Sequence, residues 1–262
     1  MPSLLITSGG IGFIFVMTCL GAATVFFFRK SVSDGFLKVF LGFAAGVMIA
    51  ASVWSLLMPA IEEAQKQGLI GWIPAACGFI LGVLFLLVLD RFIPHIHLLS
   101  NMQEGPASKS KRTTLLFFAV TLHNIPEGMA VGLLFAFAAQ HNDPTLYAAA
   151  AALALGIGIQ NFPEGAAISL PLRQEGMPAG KAFGFGCLSG AVEPVFGFLA
   201  VLLAFIIAPV MPWLLSFAAG AMIYVVVEEL IPETQAGTHS HAGTLGVMGG
   251  FALMMVLDVA LG

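Results

Sequence analysis

Eight long hydrophobic stretches, separated by short polar segments, follow one another along this chain. Each holds about 20 or more mostly apolar residues, the length that an α-helix needs to cross the hydrocarbon core of a bilayer. The pattern therefore predicts an all-α integral membrane protein of eight transmembrane helices, with residues 1–262 forming a single transmembrane domain. The predicted spans are residues 4–28, 36–60, 70–93, 114–138, 145–171, 182–207, 211–233 and 243–261.

The composition agrees with a membrane protein and excludes some functions. Hydrophobic residues make up 59% of the chain and charged residues 9%, whereas soluble domains carry about 25% charged residues. The formal net charge is −4, and there is no basic surface for nucleic acid. Arg29 and Lys30 follow the first hydrophobic stretch instead of preceding it, which indicates a retained helix and not a secretory signal.

The positive charges predict how the helices cross the membrane. Nine of the ten Lys and Arg residues lie in or beside the first, third and fifth loops, and only Lys66 lies in an even-numbered loop. Positively charged loops stay in the cytoplasm. The odd-numbered loops are therefore predicted to be cytoplasmic, with both termini outside the cytoplasm, in a multi-pass protein of the cell (inner) membrane.

Two pairs of stretches share short sequences, which predicts an internal repeat. The sequence LGFAAGVMI at residues 41–49 matches LSFAAGAMI at 215–223 in seven of nine positions, and VLD occurs at both 88–90 and 256–258. The second and seventh helices are an odd number of spans apart, so they cross the membrane in opposite directions. Helices 1–3 and 6–8 are thus predicted to form an inverted repeat that flanks helices 4 and 5, as in secondary transporters.

Helices 4 and 5 each contain a proline followed by a glutamate, in the sequences HNIPEG at residues 123–128 and QNFPEG at 160–165. A proline removes a backbone hydrogen bond, and a charged glutamate is unfavourable in lipid by about 3 kcal/mol or more. Residues i and i+4 share a helix face, so each glutamate projects on the same face as the first residue of its motif. Two such motifs at one membrane depth indicate one shared site, and a cation held between the two helices would account for both.

The polar side chains in and near these motifs are imidazole, carboxylate and amide groups. Glu193, in the sixth helix, adds a third carboxylate to the two in the motifs. Three carboxylates at one depth repel one another in a medium of low dielectric constant, so they are either protonated or arranged around a cation. Mixed nitrogen and oxygen ligands suit Zn²⁺ and also Fe²⁺, Mn²⁺ or Cd²⁺. The candidate metal ligands are His123, Asn124, Glu127, Gln160, Asn161, Glu164 and Glu193.

Further polar residues lie toward the two ends of the helices and are candidates for a transport pathway. Glu62 and Glu63 lie together at the outer end of helix 2, whereas His141, in the short fourth loop, is interpreted as unrelated. The candidates on the predicted outer side are Met48, Ser55, Glu62 and Asp258. The candidates on the predicted cytoplasmic side are Asp90, His95, His97, Glu228 and Glu229.

The paired motifs, the eight helices, the outside termini and the basic third loop together resemble the ZIP (Zrt/Irt-like) family of divalent metal transporters, in its bacterial GufA-like branch. The resemblance implies a two-metal centre, with Glu127 and Glu164 bridging the two ions. It also implies that helices 1, 4, 5 and 6 move against the others. Many members have His in place of Gln160, and some have an acid in place of Asn161, so both positions here are weaker ligands. The implied ligands of one metal are His123, Glu127, Gln160 and Glu164, and those of the other are Asn124, Glu127, Asn161, Glu164 and Glu193.

The expected function is import of a divalent transition metal, most of all zinc, and not an enzymatic reaction. An intramembrane metal-dependent hydrolase is the first alternative, but the chain has no HExxH sequence, and His123 is the only histidine at mid-membrane. A proton-coupled carrier of an organic solute is the second, but it does not predict the paired motifs. The sequence leaves open the driving ion, the choice between carrier and channel, and whether two copies form a homodimer in the lipid bilayer.

Overall fold

The computed structural model describes residues 2–27, 34–92, 95–96, 103–104, 112–174, 176–206, 208–235 and 241–261. Within these residues, eight helical stretches are long and apolar enough to cross a membrane. The prediction of an all-α protein with eight membrane-spanning helices is therefore confirmed. The spans are Leu4–Phe26, Lys38–Lys66, Trp72–Leu89, Val120–His141, Pro144–Arg173, Ala179–Ala204, Met211–Gln235 and Ala242–Ala260.

Three of the spans are interrupted, so the eight spans contain more than eight helices. The α-helices are α1 Pro2–Ala22, α2 Asp34–Ala51, α3 Met58–Lys66, α4 Trp72–Phe92, α5 Arg112–His141, α6 Pro144–Gln174, α7 Ala179–Gly190, α8 Val192–Ile206, α9 Met211–Val225, α10 Ile231–Gln235 and α11 Ala242–Leu261. Short 3₁₀ turns cover Ala23–Phe26 and Ala208–Val210. A two-residue antiparallel pairing joins β1 His95–Ile96 to β2 Gln103–Glu104.

The helices pack as two groups. In the first, which we call the motif group, α1 packs on α6, and α5 packs on α8 and α6, with α7 beside them. In the second, the flanking group, α2 packs on α11 and α4 packs on α9, with α3 and α10 attached to them. The two groups meet chiefly where α5 contacts α9 and where α6 contacts α2 and α11. The motifs in α5 and α6 thus both lie in the motif group.

The repeat predicted from the matching sequences of helices 2 and 7 is visible in the backbone of the flanking group. A π-helical turn, Ser52–Leu57, joins α2 to α3, and a second, Val226–Leu230, joins α9 to α10. These turns begin at equivalent positions when the two matching sequences are aligned. In each, a backbone N–H donates to the carbonyl five residues earlier, as from Met58 to Val53. Such turns widen the helix locally and occur often at functional sites.

Glycines bring the two halves of the repeat together in the same way. Gly82 of α4 lies against the backbone carbonyl of Phe217 in α9, and Gly250 of α11 lies against that of Phe43 in α2. The two glycines are equivalent positions of the repeat, and so are the two phenylalanines. A Cβ atom at either glycine would collide with main-chain atoms. Close packing through small residues is a usual way for helices to associate in lipid.

This packing predicts different effects of substitution at two neighbouring glycines. We expect Gly250→Ala to lower the free energy of unfolding by about 1–3 kcal/mol, because the methyl group forces α11 away from α2. Gly249→Ala meets nothing within 4 Å, so we expect it to be neutral or to stabilise by up to about 1 kcal/mol through helix propensity. Thermal unfolding of both variants in detergent tests this, and equal shifts in the midpoint would contradict it.

Candidate metal centre

The two polar motifs face each other midway along α5 and α6. Both helices continue through the prolines of the motifs, Pro126 and Pro163. α5 packs against α6 on one side and against α8 on another. The polar motif side chains that the structure describes are buried, whereas Phe162 of the second motif is 38% exposed. The fully buried members are Asn124, Glu127, Gln160 and Asn161, and Glu164 is 6% exposed.

The sixth span is broken immediately before the third carboxylate. α7 ends at Gly190, the N–H of Ala191 donates to the carbonyl of Leu188, and α8 begins at Val192. Pro194 has no N–H and is well tolerated only in a first helical turn, which explains a new helix start at this place. Glu193 is therefore in the first turn of α8, where the helix dipole favours a negative charge. The sequence predicted Glu193 near the middle of a continuous helix and did not reveal this break.

Two glycines bring the backbones of these helices close together. Gly128, the last residue of the first motif, lies against the backbone of Glu193, and a Cβ atom there would collide with its carbonyl and Cα. Gly165, the last residue of the second motif, lies against the carbonyl of Thr18 in α1 in the same way. The glycines thus position the third carboxylate and α1 beside the motifs.

Hydrogen bonds within the motif group orient the carboxylates. The amide Nε2 of Gln160 donates to Glu127 Oε1 at 2.5 Å. The hydroxyl of Thr18 donates to Glu193 Oε1 at 2.9 Å. Glu127 interacts electrostatically with both Glu164 and Glu193, so the three carboxylates are neighbours. Thr18 was not among the sequence-predicted residues, because nothing in its local sequence indicates which helix it faces.

Two asparagines are oriented by main-chain carbonyls. Asn124 donates its Nδ2 to the carbonyl of Ser189 at 3.0 Å. Asn161 donates its Nδ2 toward the carbonyl of Ile14 at 3.5 Å, which is a long contact for a hydrogen bond. In both residues the N–H group is turned toward the backbone, so the amide oxygen is the atom left to accept.

Several buried oxygens of this region have no hydrogen-bond partner. A buried polar atom without a partner costs about 1–3 kcal/mol, so a cluster of them on adjacent helices is expected to have a use. All are acceptors, which is the chemistry that a cation requires. The atoms are Asn124 Oδ1, Glu127 Oε2, Gln160 Oε1, Asn161 Oδ1 and Glu193 Oε2.

The acidic, histidine and cysteine side chains that the structure describes do not form a group of three or more positioned to hold a metal ion. Three of the unpaired acceptors described above are amide oxygens of Asn or Gln, which are not acidic, histidine or cysteine side chains. The backbone of α5 puts His123 one turn before Glu127 and on the same face, whereas its side chain lies outside the described part of the chain.

The outer pathway candidates occupy different environments. Met48 and Ser55 are buried, and the hydroxyl of Ser55 donates to Asp258 Oδ1 at 2.6 Å. Glu62 is exposed, whereas its neighbour Glu63 is 8% exposed. The inward-facing acid at this end of α3 is thus Glu63 and not Glu62.

The inner pathway candidates are only partly described. Glu229 is buried and Glu228 is half-buried in the second π-helical turn. The side chains of Asp90, in α4, and of His95, in β1, lie outside the described part of the chain, and so does the whole of His97. Their expected role stays a prediction.

Eight membrane-spanning helices with an internal repeat and a buried polar centre are typical of secondary transporters. Comparison with known proteins is consistent with that class. The family described as ZIP Zinc transporter matches residues 100–258. The chain is 38% identical to zinc transporter ZIP11 of Homo sapiens, over 97% of this chain and 96% of that protein.

Two bacterial relatives are equally similar. Zinc transporter GufA of Myxococcus xanthus is 41% identical over 85% of this chain and 86% of its own length. Zinc transporter ZIPB of Bordetella bronchiseptica is 40% identical over 95% of this chain and 79% of its own length. The chain belongs to the ZIP family of zinc transporters, in its GufA-like branch. This confirms the resemblance found in the sequence and the expectation of a divalent metal transporter instead of an enzyme.

Proposed function

We propose that this protein imports zinc into the cytoplasm through a two-metal centre formed by α5, α6 and α8. The observation that carries the proposal is the cluster of buried acceptor oxygens on these three helices, oriented by hydrogen bonds from their other atoms. Cd²⁺, Fe²⁺ and Mn²⁺ accept the same ligand types and are secondary substrates in this proposal. All proposed ligands come from one chain, so a single copy contains the complete centre.

The two metal positions take their ligands from different faces of the helices. In the first position, His123 and Gln160 join the two motif glutamates. Because Gln160 donates through Nε2, its Oε1 and the second oxygen of Glu127 remain available to a cation. In the second position, the amide oxygens of Asn124 and Asn161 and the carboxylate of Glu193 join the same two glutamates. Glu127 and Glu164 therefore bridge the two ions.

The ligand set suits an ion that has to leave. A structural zinc site uses thiolates and imidazoles in a closed tetrahedral shell. Here several ligands are neutral amides, which bind zinc more weakly than thiolates do. The carboxylates titrate as the metal leaves, so we expect transport to depend on pH, and a constant rate between about pH 5.5 and 7.5 would count against this.

The route to and from the centre follows the predicted orientation, with odd-numbered loops in the cytoplasm and both termini outside. On the outer side, Met48 and the Ser55–Asp258 pair lie between the outer opening of the pathway, here called the mouth, and the motifs. On the inner side, the ion passes Glu228 and Glu229 and then Asp90, His95 and His97. The packing of the helices in two groups supports alternating access, in which the motif group moves against the flanking group.

Zinc flux into proteoliposomes tests this proposal. We expect purified protein to carry external Zn²⁺ to an indicator inside the vesicles, with a rate that saturates as the zinc concentration rises. Flux that does not saturate would indicate a channel of the same fold. Vesicles that show no zinc flux but cleave added lipid or peptide would favour the hydrolase and overturn the proposal.

A further inference from the structure

A contact between a histidine and a glutamate joins the end of α3 to the end of α5. Nε2 of His141 lies 3.0 Å from Oε2 of Glu63. The Glu63 side chain is 11% exposed and the His141 side chain 31% exposed, so water surrounds the pair only in part. The sequence interpretation placed His141 in the short fourth loop and treated it as unrelated to the pathway.

Neighbouring groups hold both members of the pair in place. Gln67, one turn after Glu63, donates its Nε2 to the other carboxylate oxygen, Oε1, at 3.0 Å. Nδ1 of His141 lies 3.0 Å from the carbonyl of Phe137, and the imidazole packs on the Phe137 ring with centroids 4.4 Å apart. Each member of the pair is thus positioned by a residue about one turn away in its own part of the chain.

The pair connects the two packed groups of helices. The hydrogen bonds of the metal centre lie within the motif group, and the Ser55–Asp258 bond lies within the flanking group. Glu63 belongs to the flanking group, where α3 packs on α9 and α4, and His141 is the last residue of α5 in the motif group. A movement of one group against the other at this end therefore has to break the contact between Glu63 and His141.

The pair also lies at the mouth of the proposed outer pathway. Met48, Ser55 and Glu63 form a buried row along the second span, about two helical turns apart from one to the next. Glu63 lies farthest from the motifs, about 12 Å beyond Ser55 along the helix, at a rise of about 1.5 Å per residue. The contact between Glu63 and His141 thus holds the two groups of helices together at this end.

We propose that Glu63 and His141 form a latch that holds the motif and flanking groups together at the outer mouth and so sets the fraction of carriers open to the outside. The proposal rests on the proposed zinc import. Both are positioning residues, since they act on the opening and not on the metal ligands. When only a fraction of the carriers is open, the apparent dissociation constant is the intrinsic one divided by that fraction. Weakening the latch therefore lowers the KM for external zinc.

The first test measures zinc flux in proteoliposomes. We expect Glu63→Gln and His141→Gln each to lower the KM for external zinc two- to fivefold. We expect the double exchange Glu63→His/His141→Glu to bring the KM back to within twofold of the wild-type value, because it restores the pair in reverse. Lys66→Gln, on the exposed side of the same helix, is the control and leaves the KM unchanged. A lower maximal rate at constant KM, or no recovery in the exchanged variant, would show a merely structural role and overturn the latch.

The second test does not depend on transport. After Cys19, Cys77 and Cys187 are replaced by serine, Glu63→Cys and His141→Cys are introduced together. A short bis-methanethiosulfonate reagent replaces the length lost from the Glu and His side chains. Met48→Cys is introduced as a third cysteine and is protected while the other two are cross-linked. It is then labelled by an external, membrane-impermeant maleimide. We expect the cross-link to slow this labelling at least tenfold. A reductant, which cleaves the disulfides of the cross-link, restores the labelling rate.

The two proposals fail in different ways. If the wild-type protein moves no zinc but the cross-link still protects position 48, the proposed function fails and the latch remains. The latch is wrong and the proposed function remains if zinc is imported but the two cysteines do not cross-link. The same conclusion follows if zinc is imported and position 48 is labelled equally fast with and without the cross-link.

Discussion

Zinc uptake is expected to fall at least about 100-fold when Glu127 and Glu164 are both replaced by alanine, since the loss of groups that hold or orient a metal costs about 10- to 100-fold each. These residues are the proposed bridges between the two metal positions, so their removal disrupts both positions at once. The remaining amides are neutral and do not compensate for the charge of a divalent ion. Uptake of Zn²⁺ into proteoliposomes, followed by an internal indicator, measures the effect.

The control removes a carboxylate without touching the centre. Asp143 lies at the start of α6, where its Oδ1 accepts from the backbone N–H of Thr145 at 2.8 Å. Asp143→Asn keeps that acceptor but removes the charge, so we expect uptake within twofold of the wild-type rate. Both variants are compared at equal amounts of monodisperse protein. Undiminished uptake in the double alanine variant would overturn the assignment of the metal centre.

The second large effect is expected at Gly128, which has no side chain and therefore no ligand group of its own. A methyl group at this position would collide with the carbonyl and Cα of Glu193. Main-chain atoms do not move aside as a flexible side chain does, so Gly128→Ala must separate α5 from α8. We expect an overpacking loss of about 1–3 kcal/mol in the free energy of unfolding. We also expect zinc uptake to fall more than about tenfold, because a displacement of about 1 Å in a functional site can cost about 100-fold.

Gly184→Ala is the matched control for this prediction. Gly184 lies in α7, within the same span as Glu193, and a Cβ atom there meets nothing within 4 Å. We expect its uptake and its thermal midpoint to equal or exceed those of the wild type. If Gly128→Ala shows the same midpoint and uptake as Gly184→Ala, the close approach of α5 and α8 does not position Glu193 as described.

The positions of the helices and the motifs were predictable because they depend on local sequence. An apolar stretch of about 20 residues has few alternatives to a membrane-spanning helix, since each backbone polar group must find a partner inside the lipid. The glutamates of HNIPEG and QNFPEG were recognisable because a buried carboxylate within such a stretch requires a specific partner. The predicted and observed spans accordingly agree to within four residues at each end, with two exceptions. The second span continues to Lys66 instead of ending near residue 60, and the fourth begins at Val120 instead of near residue 114.

The choice between Glu62 and Glu63 shows why other features were not predictable. Met48, Ser55 and Glu62 are spaced by seven residues, which in a regular α-helix places them on one face. The π-helical turn Ser52–Leu57 adds a residue to that stretch of the helix, and the face of the helix beyond it turns accordingly. Glu63 then faces inward and Glu62 faces outward. Pro59, just beyond the turn, has no N–H group and so indicates an irregular helix here. The sequence does not show that the irregularity takes the form of an added residue.

By itself, the sequence determined the eight helices, the repeat that relates helices 2 and 7, and the motif residues on α5 and α6, because apolar length, spacing and intramembrane charge are properties of each stretch alone. Only the tertiary structure decided which helices touch. It put Glu193 at a helix start beside Gly128, Thr18 beside Glu193, and His141 beside Glu63. These contacts depend on the phase of each helix and on the small residues at which two helices cross, and both are set by the packing of all the helices together.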